Sequence, residues 1–215
     1  MRGYLLEITP YILEGFKMTV SVFLITLTVS LPLSLVFVAL SKIRVFEVII
    51  SGFTWIMRGT PLILQLYFFV FGLPILIPGF FTRNAFIGAS FAFILNYSAY
   101  FTEIFKGGLL SIDKGQWEAS KALHLNRFQT AYYVIFPQMI RNVIYPLSNE
   151  TITLVKDTSL ITVVGLGEIF RNAKELLLRD LRSEALLIVA VIYLLFTFIV
   201  IQVFKRIEKK MRLKV

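Results

Sequence analysis

Residues 18–41 run for 24 positions without one Asp, Glu, Lys, Arg or His. A helix rising about 1.5 Å per residue crosses the hydrocarbon core of a bilayer in roughly 20 residues. Lipid offers no partner to backbone N–H and C=O groups, so a run of this length and polarity is restricted to a helix that satisfies them internally. The rest of the composition agrees, with 57% hydrophobic residues, 16% charged residues and a mean hydropathy of +0.79. Folded in water, such a chain would be covered in apolar patches. The run is too long for the apolar region of a signal peptide and no small-residue cleavage site follows it, so it is expected to stay in the mature protein. Pro32 is expected to kink it. The chain has no Cys, which excludes a disulfide scaffold and a thiolate metal site and leaves the redox compartment open.

Four further stretches have the length of a span. Residues 59–82 carry Pro61, Pro74 and Pro78, and residues 84–102 follow with Arg83 alone between them. Residues 185–204 hold hardly a polar side chain beyond Thr197 and Gln202, and residues 142–167 are apolar but interrupted by Glu150, Lys156 and Asp157. The expected architecture is an all-α integral membrane protein with about five transmembrane helices, forming one domain over residues 1–215, since no repeat, low-complexity tract or linker divides it. The segment from Arg44 to Met57 suits either a helix lying at the cytoplasmic interface, with Trp55 at headgroup depth, or a plain connecting loop.

An odd number of spans puts the termini on opposite sides, and the basic residues select the orientation. Lys42 and Arg44 follow the first stretch, Lys106, Lys114, Lys121, Arg127 and Arg141 the third, and Lys205, Arg206, Lys209, Lys210, Arg212 and Lys214 the last. Basic residues concentrate in cytoplasmic loops, so the N-terminus is expected outside and the C-terminus inside. The formal charge of +9 is explained by this topogenic role, and no nucleic-acid partner is expected.

The loop over residues 103–141 is polar, and Trp117, Ala122, Leu123 and Leu125 beside Lys114, Glu118 and Lys121 predict a short amphipathic helix. Asn126 can cap a second helix by accepting a bond from a backbone N–H near Phe128 or Gln129. Within the spans, a charge at the bilayer centre costs about 2.5 to 3.5 kcal/mol on insertion scales, so such groups should face the interior. Asn149, Glu150, Thr153 and Asp157 are read as one stripe on the fourth helix, and Asn96, Tyr100 and Glu103 as a facing stripe on the third. Together they predict a polar cavity whose substrate-binding candidates are Glu150, Asp157, Asn96, Tyr100, Thr153 and Asn149. With these helices running in opposite directions, Asn96 and Asp157 share a level and Glu150 lies about 10 Å nearer the cytoplasm. Glu103, lower still, is expected to pair with Lys106 or Arg141, while Lys156 has no evident partner. Excess carboxylate favours a cationic or zwitterionic substrate. Asp157 can instead bond backbone groups around Thr158 and Ser159.

Five pieces in order carry a family resemblance: Arg58-Gly59-Thr60-Pro61, then Ala99 to Gly108, then Gly115-Gln116-Trp117-Glu118-Ala119, then Pro137-Gln138, then Leu154 to Leu160. From about Thr19 onward the chain resembles permease subunits of ATP-binding-cassette importers for polar amino acids. The resemblance implies that Gly115, Glu118, Ala119, Ala122, Leu123 and His124 form a coupling helix docking on a separate ATPase. It further implies two ATPase copies, a second permease copy, an extracytoplasmic solute-binding protein, and a bacterial inner or plasma membrane location. The absence of a Gly-x-x-x-x-Gly-Lys-Ser/Thr loop accords with ATP hydrolysis on another chain, and no cofactor, metal or catalytic residue is expected. Ser120 stands where the family has Ala. His124 stands where it has Gly, which would end the docking helix in a left-handed conformation that His adopts only at some cost. His124 is the only His, so an intramembrane enzyme lacks a ligand cluster or nucleophile. A secondary transporter or channel with buried carboxylates and no ATPase remains the alternative.

Overall fold

The structure, a computed structural model, describes residues 2–78 and 84–212. Arg83, the C-terminal end of the second expected span and Lys214 lie outside the described residues. The secondary structure assigned within them is helical throughout.

The helix α6 (Ala85–Leu110) is the axis of the fold, started by Asn84, whose Oδ1 accepts bonds from the N–H groups of Phe86 at 2.9 Å and Ile87 at 3.4 Å. Phe93, Tyr97, Phe101 and Phe105 recur every four residues and are buried, while Gly88, Ala89, Ala92, Ser98, Ala99 and Gly108 keep the remaining faces small. Lipid tails are as apolar as Leu, so helices associate here through close packing rather than through exclusion of water. The helix α2 (Phe16–Leu40) supplies the matching surface: Thr19, Val22, Phe23, Thr26, Ser30, Ser34 and Val38 recur every three or four residues and are buried. The hydroxyls of Ser30 and Ser34 return to backbone carbonyls of their own helix, at 2.6 and 2.7 Å, so α6 can approach without stranding them. α2 continues through Pro32 as a single helix.

The second expected span departs from a single helix. The helix α3 (Arg44–Gly59) ends before Pro61, and α4 (Leu62–Tyr67) sets off at 105° to it. A π-turn (Phe68–Gly72) and α5 (Leu73–Leu76) complete the second arm, which is too short to cross alone. Residues 44–57 are therefore helix and not plain loop, and with the second arm they form a bent pair with the length and apolarity of a broken span or a re-entrant loop. Among the described residues three helices are long and apolar enough to cross a membrane, or four if the bent pair is one span.

After α6 come α7 (Lys114–Ala122), α8 (Arg127–Gln129), a π-turn (Thr130–Ile135) and α9 (Phe136–Asp157), followed by a 3-10 turn (Thr158–Val164). Each π-turn stands immediately upstream of a proline, Pro74 or Pro137. A proline ring clashes with the carbonyl four residues before it, and widening that turn accommodates the clash. α9 misses the apolarity of a simple span because of its polar stripe.

Two helices were not foreseen. The helices α1 (Arg2–Glu14) and α10 (Ile169–Asp180) pack on each other and on the start of α11 (Glu184–Arg212), burying Ile8, Ile12, Ile169, Ala173, Leu176, Ala185 and Val189 in a second core. Polar ties lock the pair: Tyr11 Oη donates to Glu175 at 2.6 Å, Asn172 Nδ2 to the Tyr11 carbonyl at 2.8 Å, and Tyr4 Oη to Asp180 at 2.7 Å. The Arg179 guanidinium and the Tyr4 hydroxyl hold the Asp180 carboxyl down at about 2. Glu168 is buried and caps α10, accepting bonds from the N–H groups of Phe170 at 2.7 Å and Arg171 at 2.6 Å.

Gly15, between α1 and α2, lets this second core close on the first. A Cβ there would lie 2.5 Å from the Glu168 carbonyl carbon and 2.6 Å from the Ile169 nitrogen, backbone atoms that no rotamer change can move. Gly15→Ala is expected to lower stability by about 1 to 3 kcal/mol through overpacking. Gly52→Ala, where a Cβ meets nothing within 4 Å, is the matched control. Thermal unfolding of the detergent-solubilised variants checks this, and equal midpoints for the two would contradict the backbone contact.

Candidate functional site

The bend between α3 and α4 opens a cavity of about 570 Å³ against α6 and α9. Its wall is made of Arg58, Gly59, Thr60, Pro61 and Leu62 from the bend, Asn96, Tyr97 and Tyr100 from α6, and Glu150, Thr153, Asp157 and Leu160 from α9 and the turn after it. The spacing of Glu150, Thr153 and Asp157 puts them on one face of a 3.6-residue helix, and that face looks across at α6.

Gln65 fixes the bend. Its Nε2 donates to the Met57 carbonyl and to the Thr60 hydroxyl, both at 2.8 Å, and its Oε1 accepts from Asn96 Nδ2 at 3.0 Å. Asn96 Nδ2 also reaches the Met57 carbonyl at 3.1 Å. The break at Pro61 frees backbone carbonyls of α3, and these two amides supply the donors that α3 lost. Asn96 therefore lines the cavity while its nitrogen is committed to the bend.

Asp157 accepts a hydrogen bond from Tyr97 Oη at 2.8 Å. The hydroxyls of Thr158 and Ser159 turn instead to the carbonyls of Val155 and Lys156, so the carboxylate is tied to α6 and not to the turn that follows it. Arg58, not singled out as a site residue from the sequence, is the cavity's cation. Its guanidinium stands 5.5 Å from the Tyr100 ring centroid and 3.7 Å from Glu103, which also pairs with Lys106 at 3.3 Å. The expected alternative partner of Glu103, Arg141, is replaced by Arg58. An Arg opening an apolar stretch in Arg58-Gly59-Thr60-Pro61 was the available signal, and its partner lay 45 positions away. Tyr97 and Gln65 were also missed.

Asn149 departs from its expected place. One residue from Glu150 on a helix is about 100° around the axis, and Asn149 lines a different cavity with Tyr145, Ser148 and Lys205 between α9 and α11. Lys156 likewise leaves the Asp157 face and stands exposed beside Ser159 and Tyr193.

The second candidate surface is α7. Asp113 caps it, accepting from the Gly115 N–H at 2.6 Å, and Trp117 and Ser120 turn toward the protein. Gly115, Glu118, Ala119, Ala122, Leu123 and His124 are all exposed, Leu123 at 73%. His124 has φ +55°, with its N–H on the Lys121 carbonyl at 2.9 Å and the Leu125 N–H on the Ser120 carbonyl at 3.0 Å. That is the paired terminal bonding of a left-handed C-cap, in the place where the sequence set His in a Gly position. Asn126 then starts the next helix, its Oδ1 accepting from the Gln129 N–H at 2.8 Å while Gln129 Oε1 accepts from the Asn126 N–H at 2.9 Å. Gln138 Nε2 donates to Gln116 Oε1 at 3.0 Å and Asn142 Nδ2 to Ser111 Oγ at 2.8 Å, tying the loop to α9.

Residues 30–213 match the family model described as binding-protein-dependent transport system inner membrane component. The chain is 35% identical to the arginine transport system permease protein ArtQ of Bacillus subtilis (strain 168) over 207 residues, covering 94% of this chain and 93% of that one. It is 34% identical to the glutamine transport system permease protein GlnP of Escherichia coli (strain K12) over 210 residues, covering 95% and 94%. A crystal structure of an amino acid ABC transporter with histidines superposes with a TM-score of 0.86 at 28% identity, covering 96% of this chain and 97% of that chain. These relatives are transport subunits and not enzymes. The chain therefore belongs to the family of binding-protein-dependent transport system inner membrane components, as a multi-pass, all-α permease subunit of an ABC importer.

Proposed function

We propose that this subunit forms the translocation path for a polar amino acid, a basic one by preference, and is driven through α7 by a separate ATPase. The observation that carries the substrate reading is the cavity with two half-buried carboxylates, Glu150 and Asp157, facing α6 across from Tyr100, with Arg58 at its rim. A carboxylate removed from water needs a cation or donors, and a substrate ammonium or guanidinium supplies both. Arg58 has the charge to meet the α-carboxylate of the same zwitterion. Thr153 offers a hydroxyl, Tyr97 orients Asp157, and Asn96 holds the wall in shape. The arginine named for one relative supports a basic substrate, while the glutamine named for another supports a polar amino acid more generally.

For coupling, the exposed face of α7 is what an ATPase groove would cover, with Leu123 as apolar anchor and Glu118 as polar contact. Motion there passes to α9 through Gln116 and Gln138, and α9 carries both cavity carboxylates. Closure of two ATPases beneath a permease pair would then tilt α9 against α6 and move the cavity between inward- and outward-facing states. A solute-binding protein delivers the substrate outside, where the N-terminus lies, and α7 and the basic end of α11 are cytoplasmic.

Glu150→Gln and Asp157→Asn keep shape and remove charge, and each is expected to weaken a charge-assisted contact by about 1.5 to 3 kcal/mol, or roughly tenfold or more. The substrate concentration for half-maximal uptake should rise, more for basic than for neutral amino acids. Wild-type uptake and selectivity in both variants, with normal assembly, would make these structural carboxylates. Glu118→Lys and Leu123→Asp should abolish coupled ATP hydrolysis with insertion intact. In a chain without native Cys, Glu118→Cys should react with an impermeant thiol reagent only after cells are opened. Coupled hydrolysis unaffected by both substitutions would remove α7 from the contact, and labelling in intact cells would invert the topology.

A further inference from the structure

A further cavity, of about 270 Å³ and with a largely apolar wall, lies on the opposite side of α7 from its exposed docking face. Lys42, Lys121 and Arg127 converge on it around a wall containing Trp117, Leu125 and Thr130. Trp117, Lys121 and Leu125 are four residues apart and share one side of the helix and its cap, whereas Glu118 and Ala122 share another. No carboxylate lines this cavity, and among the described residues none of the three cations takes part in an ion pair. All three are exposed at the cavity's mouth, so their uncompensated positive charge is open to an anion.

We propose that this cavity binds the phosphate of an anionic phospholipid in the membrane leaflet on the α7 side, so that the lipid is wedged between the end of α2, α7 and the start of the α8–α9 helix. Two observations place the site at headgroup depth. Lys42 follows directly on the last turn of α2, which ends at Leu40. Next to Arg127, Phe128, Tyr132 and Tyr133 are exposed at 74%, 58% and 69%, and aromatic side chains gather at the membrane–water boundary. Trp117 and Leu125 give the glycerol and upper acyl carbons an apolar wall, which a soluble anion would not use. Basic groups at a membrane surface each attract anionic lipid by about 1 kcal/mol, about fivefold in affinity per cation. Occupancy would brace α7 against the membrane end of α2, making the stiffness of the proposed coupling element depend on lipid charge. The cytoplasmic leaflet is implied by the topology proposed above, but the binding itself is testable without it.

The chain has two Trp, so Trp55→Phe leaves Trp117 as its sole indole emission. The full-length variant is placed in lipid nanodiscs of phosphatidylcholine containing a minor fraction of either dibrominated phosphatidylglycerol or dibrominated phosphatidylcholine, and quenching is measured with and without the ATPase subunit. Stronger quenching by the phosphatidylglycerol is expected, with affinity reduced about fivefold by each of Lys42→Gln, Lys121→Gln and Arg127→Gln. Equal quenching by the two lipids in the unsubstituted cavity overturns the proposal and needs no further variant to fold. So does a phosphatidylglycerol preference that survives all three substitutions together. Relief of quenching by inorganic phosphate would make this a soluble-anion site, and loss of the preference on adding the ATPase would make it part of the protein interface; either outcome also overturns it.

Discussion

Glu150 and Asp157 cannot face lipid, and the arrangement of the membrane core depends on that constraint. A charge at the bilayer centre costs about 2.5 to 3.5 kcal/mol, and the observed rotation of α9 turns both carboxylates toward α6. The Tyr97 hydroxyl meets Asp157 there. Once that face is set, Met139, Val143 and Leu147 on the preceding turns are buried in the main core, and Gly108 on α6 leaves room for Val143. The same rotation sends Asn149 and Lys156 away from the cavity.

The bend at Pro61 is the complementary device. Breaking α3 from α4 leaves carbonyls without helical partners, which is tolerable away from water only where protein supplies donors. Gln65 and Asn96 supply them, and the space opened by the 105° turn becomes the cavity. The cavity wall and the structural repair thus share residues. Asn96 belongs mainly to the repair, and Glu150 faces the open space.

Features set by local chemistry were legible in the sequence. The apolar run of α2, the final apolar run of α11, the Asn126 cap and the left-handed turn at His124 each follow from a few neighbouring residues, and the structure has them. What was not legible depends on distant partners. α1 and α10 are short amphipathic helices whose apolar faces, around Ile8 and Ile12 and around Ala173 and Leu176, are buried only against each other and the start of α11. Neither face would read as a span. Arg58 became a site residue through Glu103 and Tyr100 on another helix, and Gln65 through Asn96. Reading Asn149 with Glu150 as a single stripe neglected the 100° step between adjacent helical residues.

An ABC permease with this cavity predicts that transport is inseparable from ATP hydrolysis on a separate subunit and that the cavity responds to a cationic amino acid. The most direct measurement is ATP hydrolysis by the permease reconstituted in proteoliposomes with its ATPase and solute-binding protein, across the amino acids. Hydrolysis should rise above basal most strongly with a basic amino acid, and the stimulation should vanish when this subunit is omitted. Amino acid uptake that proceeds without ATP, or hydrolysis that no amino acid stimulates, would contradict the account.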